Sequence, residues 1–318
     1  IIFIIFLILN TAPFISIGIP VFNGEKYLKI AIESVLQQNF LDFEIIISDN
    51  ASTDDTELIC KKYQNQDKRI RYIKQEKNIG AYSNFYFVLT QASGKYFMWA
   101  AADDFWETDF ILKNLKVLSS NSNIVCSISK LDTYTFTDDL IQKEKIKTVQ
   151  YPSFAKNFIN IRRQKMIKVT FPVYGKFEKK IRKFLMNPGS NSRFYGLYRT
   201  SQIKECFIKK PFIAVENAIF LNLLRLGDLH EIDEVLYHRF ESGWSTYGII
   251  NMAKNIHGTF LGVLFPYYPF NSWCLQNIGL KNIIRNFDIF TRLNIGGFIF
   301  LGIDLILKIK NKFYHTNN

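Results

Sequence analysis

Acidic and amide side chains recur in this sequence at intervals that would let them share one ligand. Asn23, the pair Asp49 and Asn50, Asn78, and the pair Asp103 and Asp104 each come after a short apolar run, Asn78 with four polar residues between. Adjacent carboxylates such as Asp103 and Asp104 are hard oxygen donors suited to a divalent cation, Mg²⁺ or Mn²⁺. A cation held this way can grip phosphate oxygens. Glycine-rich phosphate loops are missing: no GxxxxGK[ST] occurs, and the first apolar run leads into Pro20-Val21-Phe22-Asn23-Gly24 instead of GxGxxG. A diphosphate, if bound, is therefore held through the acid pair.

The apolar runs set where these residues stand. Ile15–Pro20 reads as a strand ending in a turn at Asn23-Gly24, and Leu28, Ala31, Ile32, Val35 and Leu36 then recur at helical spacing. Glu44–Ser48 is a second strand, Ser52 with Asp55 has the pattern of a capping box opening a helix through Leu58 and Ile59, and Ile70–Ile73 is a third strand. A helix over Tyr82–Gln91 and a strand over Lys95–Ala100 follow. Strands and helices alternate at the length crossover connections need, which predicts an α/β fold with a mostly parallel, helix-covered sheet. The polar residues then all lie beyond the carboxyl ends of parallel strands, where open α/β sheets bind ligands.

Composition agrees with a folded enzyme-sized chain: 318 residues, 48% hydrophobic and 21% charged, which excludes disorder and fibrous repeats. The net charge of +12 is unevenly spread, since residues 1–116 carry 12 basic and 14 acidic groups and residues 117–318 carry 28 and 14. A basic second half attracts phosphate-bearing partners, and no recognition fold for nucleic acid accompanies the charge. Cys60, Cys126, Cys206 and Cys274 lie too far apart for a CxxC metal or redox site and read as core residues of a reducing compartment. Ile1–Leu9 is an apolar run too short to span a bilayer and without the basic flank of a signal peptide, and it reads as the remnant of a longer start.

The ordered blocks Ile15–Gly24, Ile32–Gln38, Phe43–Thr56, Asn78-Ile79-Gly80, Asn84, Ala92–Tyr96 and Ala101-Ala102-Asp103-Asp104 closely resemble the family 2 glycosyltransferases of GT-A fold. The resemblance covers about the first 110 residues and implies an inverting sugar transferase that uses a nucleoside-diphosphate sugar and a divalent cation. It implies nucleoside contacts for Pro20, Phe22 and Asp49, with Asn23 and Asn78 in the same donor site. Phe22 has a second reading as a core aromatic, and Asp49 has one as a turn-capping carboxylate. Asp104 is expected as the metal ligand and Asp103 as a ribose or outer carboxylate, although both also read as caps of the helix starting near Asp109. The family usually has another Asp where this chain has Ala101.

Further along, Val215–Gly227 resembles the family segment in which an acid opening a helix is the catalytic base. Glu216 stands there, with Asp228 and Glu241 as the alternative acids and Ile219, Leu223 and Leu226 as an apolar stripe. Tyr195–Thr200 resembles an acceptor-side strand and turn, and Glu234–Arg239 a closing strand on which His238 is a candidate metal or phosphate ligand, or else turns outward. The expected organisation is an apolar segment over residues 1–14, a donor half over 15–120, an acceptor half over 121–245 and a helical, basic extension over 246–318. Thirteen Lys and Arg between Lys143 and Lys183, and the apolar Leu293–Leu307 ahead of Lys308, Lys310 and Lys312, suit either a solvated face or an anionic membrane surface. The expected partners are a nucleoside-diphosphate sugar, a glycan or lipid-linked glycan acceptor, and that membrane at its cytoplasmic side. The rival reading is a sugar-nucleotide-binding scaffold whose site has decayed, as Ala101 and Asn217 suggest.

Overall fold

The computed structural model describes residues 12–134, 170–186, 191–240 and 264–315. The apolar run at 1–9, most of the basic stretch from 143 and Glu241 lie outside these. Chain order is β1 (Ile15–Val21), α1 (Leu28–Leu36), β2 (Phe43–Asp49), α2 (Thr56–Gln66), β3 (Ile70–Lys74), α3 (Ala81–Gln91), β4 (Tyr96–Trp99), β5 (Phe105–Trp106) and α4 (Phe110–Ser120). There follow β6 (Ile124–Tyr134), α5 (Phe177–Met186), a 3₁₀ turn (Asn191–Tyr195), β7 (Leu197–Arg199), α6 (Thr200–Cys206), α7 (Val215–Leu226) and β8 (Asp228–Phe240). The chain closes with α8 (Tyr268–Ile278), α9 (Leu280–Arg285) and α10 (Phe287–His315).

One sheet of eight strands, ordered β3-β2-β1-β4-β7-β6-β8-β5, carries the fold. β3, β2, β1 and β4 are parallel, as the alternation predicts, and β8 is parallel to β6. β7 is antiparallel to both its neighbours, and the two-residue β5 returns antiparallel to β8 at the far edge. Because side chains alternate across a strand, β1 turns Ile15, Ile17 and Ile19 into one core layer. β4 divides likewise, Tyr96 and Met98 facing that layer and Phe97 and Trp99 the opposite one with Val88 and Leu89 of α3. Tyr195, at the end of the 3₁₀ turn, packs against both layers.

The parallel strands close up because small residues stand where backbones meet. Ser16 Oγ accepts hydrogen bonds from the N–H groups of Ser93 (3.1 Å) and Gly94 (2.8 Å) and donates to Glu44 Oε1 at 2.6 Å. A Cβ on Gly94 would lie 2.7 Å from Ser16 N and 2.8 Å from Ile15 C, both backbone atoms that cannot swing aside. Gly94→Ala is therefore expected to destabilise the protein by about 1–3 kcal/mol, the usual cost of overpacking, as read from the midpoint of a urea melt; an unchanged midpoint would mean that β1 and β4 are more loosely joined than this contact indicates.

Candidate active site

The loops leaving β1, β2 and β3 are bound to one another before any ligand arrives. Asp49, the last residue of β2, has 0% of its surface exposed, and its Oδ1 accepts from Ser52 N–H at 2.8 Å while Oδ2 accepts from the Tyr72 hydroxyl at 2.8 Å. These bonds offset the cost of burying a carboxylate, and they give Asp49 the turn-setting role that was its second reading. Asn23 N–H donates to Ser52 Oγ at 2.9 Å, and Asn23 Oδ1 accepts from Thr53 N–H at 3.0 Å. Asn50 Nδ2 donates to Asn78 Oδ1 at 3.0 Å, and Asn50 Oδ1 accepts from Ile79 N–H at 2.8 Å. Asn23 and Ala51 hold left-handed backbone conformations with φ of 51° and 60°, strain that the interlocking bonds maintain.

Pro20 is buried in β1 beneath this loop platform, whereas Phe22 is 42% exposed at its rim. That exposure removes the core reading of Phe22. The expected capping box is not formed, since Ser52 is committed to Asn23 and Asp55 caps α2 without a side-chain bond.

The acid pair lies on the next loop and is gripped by the last strand. Asp104 is 3% exposed; its Oδ2 accepts from the Tyr237 hydroxyl and its Oδ1 from Phe240 N–H at 2.9 Å. Tyr237 is itself set by register opposite Trp106 and stacks on it, with centroids 5.5 Å apart. Neither Asp caps α4, whose N-cap Asp109 makes no side-chain cap bond and whose Ile111 N–H donates to Gln38 Oε1 at 2.9 Å. Burial, and then the charge of Asp103, push the Asp104 carboxyl up to about 7. Burial raises Asp103 as well, against the opposing pull of Arg239.

Arg239 was not singled out from the sequence. It lies within electrostatic reach of Asp103, Asp104, Tyr195 and Tyr237, and its Nη1 donates to Ser192 Oγ at 3.4 Å. Alternation along β8 puts Tyr237 and Arg239 on one face and His238 on the other. His238 is held there by Glu107 Oε1 at 2.8 Å and by a stack on Phe105 at 4.3 Å, and the structure does not bring it to the acid pair. A long polar side chain two residues from a buried Tyr on an alternating strand was the available signal for Arg239.

Glu216 sits in the first turn of α7, behind Ala214, whose φ of 68° turns the chain sharply into the helix. Burial raises its carboxyl, and its charge acts on the hydroxyls of Tyr82 and Tyr195. Tyr195 also feels Asp104, Arg239 and Asp103, so one side chain lies within electrostatic reach of both the acid pair and the distant acid. The rival acid Asp228 is buried and spent on Lys180 Nζ (3.0 Å) and Asn123 Nδ2 (2.6 Å), a structural knot at the start of β8. Ile219 and Leu223 of the expected stripe are buried, but Leu226, in the helix's final turn, is exposed.

The pattern of the family described as "Glycosyl transferase family 2" matches residues 16–207. The chain belongs to that family. TuaG of Bacillus subtilis, a glycosyltransferase named for teichuronic acid biosynthesis, is 34% identical over 113 residues, 36% of this chain and 45% of TuaG. Chondroitin synthase of Escherichia coli is 26% identical over 239 residues, 75% of this chain and 30% of that protein. The chain thus spans less than half the length of these two relatives. Residues 1–349 of Staphylococcus aureus TarS, crystallised with UDP-GlcNAc, superpose with a TM-score of 0.53 at 17% identity, covering 85% of this chain and 74% of that one, which shows a shared fold. The GT-A architecture expected from the sequence is therefore present, helical extension included. Glu216 and Arg239 lie beyond the matched residues.

A carboxyl raised by burial costs the folded state as soon as it must ionise. Below its ordinary value Glu216 is protonated in both states and contributes nothing; as pH rises through its ordinary value towards the raised one, the unfolded chain releases the proton first and stability is lost. Glu216→Gln should accordingly melt roughly 2 °C or more above the wild type near pH 8 and close to it near pH 4, measured by calorimetry; equal melting at both would mean that the carboxyl is well solvated.

Proposed function

We propose that this protein is an inverting glycosyltransferase that moves a sugar from a nucleoside-diphosphate sugar to an acceptor hydroxyl, in the synthesis of a cell-surface polysaccharide or lipid-linked glycan. The observation that carries the reading is that two chemically distinct acid sites lie within electrostatic reach of Tyr195: the half-buried Asp103 with the buried Asp104, near Arg239, and a separate half-buried acid, Glu216, at a helix start. Family membership and the TarS fold likeness support it.

Asp103 and Asp104 fit a hard divalent cation, because two neighbouring carboxylates, one lifted to about 7, ionise together only beside positive charge. Mg²⁺ or Mn²⁺ can be held by few carboxylates, with donor phosphate and water completing the coordination. Such a cation, when bound, supplies Lewis-acid neutralisation of the departing diphosphate. Asp104 would be its main ligand, with Asp103 directed to the ribose or the outer coordination.

Arg239 adds a fixed positive charge where two carboxylates and a divalent cation would otherwise sum to zero, and so makes the cleft attractive to a diphosphate. Phe22 offers an exposed ring to the nucleoside base, and the platform set by Asp49, Asn23 and Asn78 holds that ring and Pro20 in place. Glu216 takes the proton from the acceptor hydroxyl as it attacks the anomeric carbon opposite the leaving group. Its raised carboxyl puts the base nearer to neutral pH, where general-base catalysis is efficient. The place of action is the cytoplasmic face of the cell membrane, where a lipid-linked acceptor is presented.

A thermal-shift screen of UDP-, GDP- and dTDP-sugars with Mg²⁺ or Mn²⁺ identifies the donor, since ligands of the native state raise the melting temperature. With that donor, Asp104→Asn should lose both the metal-dependent shift and turnover. Glu216→Gln should keep the shift and lose about 10²–10⁴ in kcat. Undiminished turnover in either variant would overturn that residue's role, and donor binding without turnover in the wild type would favour the decayed scaffold.

A further inference from the structure

Twelve of the twenty exposed large apolar side chains among the described residues fall between Leu264 and Ile306, although this stretch is a small part of the chain. Elsewhere such residues are scattered, which is ordinary for a protein surface. On α10 they follow the helical period: Phe287, Ile295, Phe298, Ile299, Leu305 and Ile306 fall within one arc of about 120° at 100° per residue. Ile284 of α9 and Phe287 lead into this stripe and are 64% and 68% exposed. A cavity of 380 Å³ between α9 and α10, walled by Ile283, Phe287, Ile295 and Phe298, opens beside it.

The charge around this face has one sign. Residues 264–318 hold Lys281, Arg285, Arg292, Lys308, Lys310 and Lys312 against Asp288 and Asp304. Asp288 is neutralised by Arg182 of α5, whose Nη1 and Nη2 reach its two oxygens at 3.0 and 3.1 Å, and Asp304 is only 8% exposed. Lys281, Arg285 and Arg292 are exposed, and at 100° per residue Arg292 projects along one border of the apolar arc.

We propose that this face of α9 and α10 docks on an anionic bilayer, with α10 lying in the plane of one leaflet, its apolar arc in the acyl boundary and its basic border among the headgroups. Phe287–Ile306 is long and apolar enough to cross a membrane, but the opposite side of α10 is already engaged. Ile289 and Phe290 belong to the main core, and Phe290 stacks on Phe270 of α8 at 6.3 Å, while Asp288, in the first turn on the arc's own side, is tied to α5. A spanning orientation would strip these contacts and carry Asp304 into hydrocarbon, whereas an in-plane helix keeps all of them. The inference rests on the proposed function only for the source of the acceptor, and docking itself requires no catalysis.

Flotation of the full chain with phosphatidylglycerol vesicles and with phosphatidylcholine vesicles tests it. Binding is expected to the anionic vesicles and to be much weaker to the neutral ones. Ile295→Glu with Ile306→Glu should abolish it, and each of Lys281→Glu, Arg285→Glu and Arg292→Glu should lower the partition coefficient about fivefold or more. Melting curves of the same variants establish folding, and donor hydrolysis without vesicles reads the site separately, so failure of docking and failure of the enzymatic reading are distinct results. Undiminished flotation of the double variant would overturn the proposal. So would resistance to alkaline extraction, which marks a spanning helix, or a dimer in solution that the double variant dissolves, which would assign the face to a second copy of the chain.

Discussion

Two adjacent carboxylates inside a protein repel each other and lose most of their hydration, so a fold that keeps Asp103 next to Asp104 must supply both hydrogen bonds and positive charge. Here the supply comes from one strand. β8 delivers the Tyr237 hydroxyl and the Phe240 N–H to Asp104, and Arg239, between them in sequence, to the same neighbourhood. The pairing of β8 with β5 follows from this arrangement, since β5 starts directly after the acids and its register with β8 seats Tyr237 on Trp106. The far edge of the sheet is in effect built around this electrostatic problem.

The loops after β1, β2 and β3 have a different character. Its loops are held by neutral hydrogen bonds among Asn23, Asn50, Ser52, Thr53 and Asn78, with Asp49 buried as their anchor. Such a platform is set before ligand binding, which lowers the ordering cost of association. Backbone strain marks the same regions: among the described residues the non-glycine positions with positive φ are Asn23, Ala51 and Ala214, two in these loops and one at the turn into the Glu216 helix.

The first hundred residues were readable because each strand and helix there announces itself through local periodicity, and the carboxyl ends of parallel strands are where polar residues have a use. The capping box at Ser52 and Asp55 was misread because a partner from another loop, Asn23, outcompeted the local bond. Of the two readings of His238 on its alternating strand, the pleat selects the one that turns it away, to Glu107, and the neighbouring Arg239 lies near the acids instead. Tyr237 and Asp104 stand 133 residues apart, and nothing in either one's local pattern declares the other. Tyr195 was visible only as part of an acceptor-side segment; its place within electrostatic reach of both acid sites depends on packing against two core layers at once.

In the proposed function Asp103 and Asp104, near β8, form with a nucleoside diphosphate one cation site. Electron paramagnetic resonance of Mn²⁺, titrated with protein in the presence and absence of UDP and GDP, reads this directly without needing the acceptor. Binding of Mn²⁺ that tightens with one diphosphate, weakens in Arg239→Ala through loss of that diphosphate, and disappears in Asp104→Asn is the predicted result. Mn²⁺ binding of equal strength with and without nucleotide, unaltered in Asp104→Asn, would contradict it.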